Sequence, residues 1–345
     1  MKIQIKNFLI NLSCIIFIAS CSSISIPINT SIKIKSQLLS FPPASYEWIV
    51  YIDNKLIAFS INPNNAPSER VSFVSQSDPN LHPFKPPQDP NCRQTVYNVF
   101  GGVLPDGRLG LLEDCWTQAS TSTPFILAYD WKAGTLEQIV KGPIAEGQLP
   151  KVFTWNPQMT KGVQQMGNGI EGTIYWISPE GSSPMDIEIE DQGLKWNLKD
   201  YFEGKTTEVG SAGDPAWSPN GNAIAFFASS YGIREEPLPK MNARHALYLM
   251  NISTLRPVQV IPDIPNAFRL RWSPDSKQLL FSGCMGFQLQ CALWLYSLDT
   301  KSLALIDKGD FLDFTWITNQ KIAGIKNIAE TSFENNQIWE YSFDQ

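Results

Sequence analysis

Two stretches of this chain carry nearly the same phrase. Trp217-Ser218-Pro219-Asn220-Gly221-Asn222-Ala223-Ile224-Ala225-Phe226 returns as Trp272-Ser273-Pro274-Asp275-Ser276-Lys277-Gln278-Leu279-Leu280-Phe281. Internal repetition constrains a fold more than any single motif, because each unit must bury its face against a copy of itself. The phrase predicts strand, turn, strand. Ser-Pro-Asn/Asp-Gly suits a type I turn, with Ser first, Pro and its preset φ second, and Gly fourth.

The residue before the turn serves as an anchor. Val103, followed by Leu104-Pro105-Asp106-Gly107, anchors a third copy; Trp155, before Asn156-Pro157, a fourth; Trp316, before Asn319-Gln320, a fifth; and Val50, before Asp53-Asn54, a sixth. From Val50 onward the anchors are spaced 53, 52, 62, 55 and 44 residues apart, so six units fill the chain. Each continues into a third strand rich in aromatic and branched residues, such as Phe125 to Tyr129, Ile174 to Ile177, Leu247 to Met250, Leu293 to Tyr296 and Ile338 to Tyr341. Fourth strands are expected at Leu136 to Val140, Met185 to Ile189, Val258 to Ile261 and Leu303 to Ile306. The last unit has no residues left for its fourth strand after Gln345, and the alternating Ser31-Ile32-Lys33-Ile34-Lys35 can supply it. The expected fold is therefore all-β: a six-bladed β-propeller over residues 31–345, with four-stranded antiparallel blades and the ring closed by an N-terminal strand.

The repeated phrase resembles the blade motif of TolB-like β-propellers, the WD40-like repeats of bacterial envelope proteins. A propeller of this kind is also similar to the companion domain of prolyl oligopeptidases. This chain has neither a G-x-S-x-G elbow nor room for a hydrolase domain.

The first residues carry a separate signal. Lys2 and Lys6 precede an apolar run from Phe8 to Ile18, and Ile18-Ala19-Ser20-Cys21 follows. The run falls short of the roughly 20 apolar residues that span a bilayer. The order resembles a bacterial lipoprotein signal peptide over residues 1–20, with a lipid-anchored linker over 21–30. The resemblance implies that Cys21 becomes the N-terminus and carries a diacylglyceryl thioether and an amide-linked acyl chain such as palmitate. Ser22, where an Asp retains such proteins at the inner membrane, implies the outer membrane facing the periplasm in a Gram-negative cell, or otherwise the cell surface. Loss of Lys2 and Lys6 takes the net charge from −6 to −8, and so acidic a domain has no electrostatic footprint for nucleic acid.

Cys92, Cys115, Cys284 and Cys291 remain after the signal. An even count in an exported protein favours disulfides. Cys284 ends a second strand and Cys291 begins a third, while Cys92 and Cys115 flank the first two strands of their own unit, so Cys284–Cys291 and Cys92–Cys115 are the expected pairs. No CxxC spacing points to a metal, and neither His82 nor His245 sits in a recognisable catalytic or ligand spacing. No catalytic residue, metal or cofactor is assigned. Asp186, Glu188 and Glu190 alternate with Ile187 and Ile189, which reads as a charged outer-strand face in preference to a cation site. Most of the tryptophans fall inside strands and are expected to pack between blades. Trp116, Trp131 and Trp196 lie nearer loops and are candidates for a binding surface.

In a propeller, first-to-second and third-to-fourth turns share one face, and the other connections share the opposite face. The first set is short here. The second is expected to be long, at Gln76 to Thr95, Trp116 to Thr123, Glu190 to Asp214 and Ser229 to His245. Long connections concentrated on one face mark it for binding. The expected protein is a lipid-anchored envelope propeller that binds a protein or other ligand there, or serves as a scaffold, without chemistry. The alternative is a propeller enzyme, a metal-assisted hydrolase or lyase, with its site in the central funnel.

Overall fold

The computed structural model describes residues 26–344 apart from 63, 67–68, 88–89, 119–120, 143, 145–149, 168–171, 192–193, 203–209, 231–243, 266, 286–289 and 329–335. The expected signal peptide and Cys21 lie outside the described residues, as does most of the Ser229 to His245 connection.

The first strand is β1 (Lys33–Leu38). Blade 1 is β2 to β5 (Tyr46–Ile52, Lys55–Ile61, Val71–Ser75, Asp78–Pro83) and blade 2 is β6 to β9 (Gln94–Val103, Leu109–Gln118, Thr121–Asp130, Thr135–Gln138). Blade 3 is β10 to β13 (Pro150–Trp155, Gly162–Met166, Thr173–Ser178, Gly181–Pro184). A separate hairpin, β14 (Glu188–Asp191) and β15 (Leu194–Asn197), follows with a short helix α1 (Leu198–Phe202). Blade 4 is β16 to β19 (Gly210–Trp217, Ala223–Ser230, Arg244–Asn251, Arg256–Pro265) and blade 5 is β20 to β23 (Phe268–Trp272, Gln278–Met285, Gln290–Ser297, Ser302–Lys308). Blade 6 is β24 to β26 (Asp310–Thr318, Lys321–Asn327, Gln337–Asp344), completed by β1, which pairs antiparallel with β26 from Lys33↔Asp344 to Leu38↔Trp339. The six-bladed ring closed by an N-terminal strand is thus the observed fold, with the closing strand set two residues later than its sequence pattern began.

The period-2 alternation of each strand feeds two seams at once. In β17, Ile224, Phe226 and Ala228 join a buried cluster with blade 3, while Ala225 and Phe227 join one with blade 5. The core is accordingly six clusters, one per seam. Phe226, Phe227 and Phe281 are fully buried, each contributing about 1.5–3 kcal/mol by leaving water.

The turns behave as their composition demands. Gly221 N donates to Ser218 O at 2.9 Å and Ser276 N to Ser273 O at 2.9 Å. Both turns end in a left-handed residue, Gly221 at φ 80° and Ser276 at φ 63°. The Ser218 and Ser273 hydroxyls donate to Asn220 and Asp275 at 2.8 and 2.6 Å, so the Ser and Asn/Asp of the phrase brace each other. Neighbouring turns are also tied together: Asn220 N donates to Ser276 Oγ at 3.0 Å, and Asp275 N to Asn319 Oδ1 at 3.1 Å.

Two connections and one strand differ from expectation. Residues 78–83, within the expected Gln76 to Thr95 loop, form the outer strand of blade 1. Trp116 to Thr123 is two strands meeting, since β7 runs to Gln118 and β8 begins at Thr121. Met185 to Ile189 is not the fourth strand of blade 3; that strand is the polar Gly181–Pro184. The Ile187/Ile189 alternation belongs to the extra hairpin, whose inner side packs onto the seam between blades 3 and 4.

Candidate functional site

The six first strands surround the axis. Successive first strands contact one another from blade 1 round to blade 6 and back, and all six line an axial cavity of about 290 Å³ at the short-turn end. Its wall includes Val50, Val103, Thr154, Trp217, Arg271 and Trp316. The anchor tryptophans clamp the ring here: Trp272 Nε1 donates to Ala216 O at 2.9 Å and Trp316 Nε1 to Arg271 O at 3.2 Å, each indole reaching the residue just before the preceding blade's anchor.

Deeper along the axis, each first strand breaks its register with its partner. The irregularities fall between Tyr46 and Trp48, Asn98 and Gly102, Pro150 and Phe153, Gly213 and Ala216, Phe268 and Leu270, and Phe311 and Asp313. A bulge re-aims side chains, and these bulges sit beside a set of charged residues: Glu47, Lys151, Asp214, Arg269, Arg271 and Asp313. Asp214 and Arg269 hold the left-handed region at φ 48° and 57°, a conformation costly for non-glycine residues.

The charges answer one another. Asp313, 2% exposed, accepts from Arg271 at 3.1 Å and from the Ile49 backbone N at 3.1 Å, joining blades 5, 6 and 1. The Arg269 Nε lies 3.9 Å from the same carboxylate. Burial pulls the Arg271 guanidinium below its ordinary range, and Asp313 opposes the shift. Burial pushes the Asp214 carboxyl up, while Arg269, through its charge and its backbone N–H, pulls it down. Asp214 N donates to Gln165 Oε1 at 3.0 Å. Glu47 is exposed, yet desolvation by the surrounding protein still raises its carboxyl, with Arg269 opposing.

None of this ring was singled out from the sequence, although a signal was present. Glu47, Asp214, Arg269 and Asp313 each stand three residues before their anchors Val50, Trp217, Trp272 and Trp316. Aligning the repeats on the anchor, instead of on the turn alone, exposes that column.

The three binding-surface tryptophans do not come together. Trp116 is half-buried near the end of β7. Trp131 belongs to an aromatic cluster at the seam of blades 1 and 2, with Phe73 at 4.8 Å and Phe84 stacked at 6.1 Å. Trp196 is 3% exposed, on the buried side of the β14–β15 hairpin, and so presents no ring to a ligand. Glu188 and Glu190 are exposed and share Lys195 at 3.5 Å each, while Asp186 accepts from Asn197 at 2.9 Å: a solvated, lysine-neutralised surface. Among the described residues no group of three or more His, Cys, Asp or Glu is placed to hold a metal ion.

Cys92 and Cys115 are joined, as are Cys284 and Cys291, both toward the face of the longer connections. In the oxidised protein a tryptic map should contain both linked pairs. Full reduction should lower stability by about 2–3 kcal/mol per bridge in the loop-entropy account, more for the separation of 23 residues than for that of 7. Free alkylation of all four thiols without reductant would overturn the assignment.

No family model matches the chain. A stretch of 201 residues, 56% of the chain, is 25% identical to dipeptidyl-peptidase 5 of Porphyromonas gingivalis, and the match covers 27% of that protein's length. Among solved structures, the chain is similar to a protein of unknown function from Dyadobacter fermentans, with TM-score 0.55 and 8% identity over 92% of this chain and 100% of that one. It is also similar to the putative TolB of Agrobacterium tumefaciens, with TM-score 0.51 and 12% identity over 91% and 99%. At these identities the likeness carries the fold.

Proposed function

On the premise that the chain is a six-bladed β-propeller of the TolB-like fold, we propose that it is a lipid-anchored cell-envelope protein that binds another envelope component on the face of its longer connections, without chemistry. The observation that carries this reading is the polarity of the closing strand. β1 pairs antiparallel with β26, so it starts beside Asp344, on the face of the short turns. A tether from Cys21 therefore leaves the propeller on that face, and the opposite face points away from the membrane. The axial charges support a binding role in preference to a reactive one, since Asp313 is occupied by Arg271 and the Ile49 N–H, and Asp214 by Arg269.

Two measurements test the reading. Cys21→Ser should abolish acyl labelling and detergent-phase partitioning; partitioning that survives the change would remove the lipid anchor. A photo-crosslinker at exposed Lys85, on the longer-connection face, should give a discrete envelope adduct that the same group at Asn222, on the short-turn face, does not. Adducts from Asn222 alone would reverse the binding face.

The funnel enzyme is the second reading, and one observation favours it: the Asp214 carboxyl, raised by burial, stands on strained backbone beside Arg269 and Arg271 near the axis. If it holds, turnover of a peptide or glycoside by the purified protein should disappear in Asp214→Asn. The peptidase match reaches too little of that protein to choose the substrate class.

A further inference from the structure

We propose that the rim of blades 4 and 5 at the short-turn face is a lipid-contact surface, which sets Ile28, Leu255 and Val258 into the headgroup region beside the anchored Cys21. The inference rests on the lipidated Cys21 of the function proposed above.

The first observation is where the N-terminal segment is fixed. Ile28 forms a parallel bridge with Leu303, on the outer strand of blade 5. Leu303 N donates to Pro27 O at 3.0 Å and Asn29 N to Leu303 O at 2.6 Å. Ile26 packs on the cluster that fills the seam between blades 4 and 5. The Asn29 carboxamide oxygen then accepts from Ser31 N at 3.0 Å, in the turn that leads toward β1. The chain is therefore strapped to one rim from Ile26 onward and does not swing freely from blade 6. Leu303 is the second residue of β23, which starts at the short-turn face, so the strap lies at that end. The five residue steps from Cys21 to Ile26 span at most about 18 Å. A bilayer holding Cys21 lies within that distance of the strap.

The second observation is what this rim exposes. Seven large hydrophobic side chains are exposed among the described residues, and three stand here: Ile28 at 62%, Leu255 at 40% and Val258 at 61%. Leu255 lies in the last turn of blade 4, and Val258 is the third residue of the outer strand that follows. Exposed Arg256 and Lys301 flank them, with Asp299 the acid in the blade 5 turn. Exposed apolar side chains beside two cations fit the boundary between headgroups and acyl chains. The strap and the exposed Leu255 and Val258 of blade 4 are separate features that meet at Ile28, and both point to the same lipid surface.

The test uses the full-length lipidated protein in vesicles of phosphatidylethanolamine and phosphatidylglycerol. An environment-sensitive dye is placed singly at Ile28→Cys, Val258→Cys, Leu38→Cys or Leu81→Cys, all exposed positions, with headgroup-labelled nitroxide lipid as quencher. Leu38 and Leu81 lie toward the opposite ends of β1 and β5 and serve as controls. The dyes at positions 28 and 258 should shift to the blue and be quenched about twofold or more above the controls, as expected for groups within roughly 5–10 Å of the headgroups. Equal quenching at all four sites, with the protein still floating with the vesicles, would overturn the rim while leaving the anchor intact. A blue shift that persists without lipid would assign the rim to a second protein surface instead. Failure to float, together with loss of acyl labelling, would overturn the anchor and this inference with it.

Discussion

Asp313→Ala should be among the most damaging single substitutions in the chain, lowering the unfolding free energy by about 3–5 kcal/mol. The carboxylate is 2% exposed and is the near counter-ion of Arg271, which burial already disfavours as a cation. Removing it leaves a partly desolvated guanidinium with only Asp214 to attract it, and the Ile49 N–H without its acceptor. Because those partners belong to blades 5 and 1, the loss falls on the junction where the ring closes. Asp313→Asn keeps an oxygen for Ile49 but not the charge, and should fall between wild type and Asp313→Ala. Urea unfolding followed by tryptophan fluorescence reads all three. If Asp313→Ala unfolds within about 1 kcal/mol of wild type, the axial pair is not the structural tie described here.

The second large effect is expected from the closing strand. A chain lacking residues 31–38 leaves β26 as an open edge and removes six cross-strand positions. At roughly 0.5–1 kcal/mol per net backbone hydrogen bond, the loss amounts to about 3–6 kcal/mol before any gain in chain entropy. The backbone N–H and C=O groups of β26 that β1 had paired would also become available for strand addition, so the truncated protein should self-associate. Light scattering and the unfolding midpoint test both consequences. A monomer of unchanged midpoint would show that β1 decorates blade 6 without closing it.

The repeat made the architecture legible because its turns and anchors are local devices. Ser218 and Asn220 fold their own turn, and Trp272 reports a first strand wherever it stands. The disulfide pairs were legible for the same reason, since each cysteine lies near the end of a strand in its own blade. What misled was composition read without its destination. Ile187, Ile189 and Trp196 have the composition of a blade strand, yet they close a seam as an inserted hairpin, while the true fourth strand, Gly181 to Pro184, carries almost no strand signal. The axial ring stayed hidden because its members meet only after distant segments converge: Glu47, Asp214, Arg269 and Asp313, on four different first strands, share a position in the repeat, not a neighbourhood in the sequence.

The pairing of Lys33 with Asp344 also sets an order of events. β1 is among the first segments of the propeller to emerge during synthesis, and its partner β26 is the last of the described strands. For almost the whole passage of the chain, blades 1 to 5 can assemble from neighbours already present, but blade 6 cannot be finished. Contacts of such sequence separation form late and slowly. The strand that closes the ring must therefore remain unpaired until β26 has been made. The strap of Ile26 to Asn29 along blade 5 gives that waiting segment a place to lie once blade 5 exists, one blade away from where it will be needed.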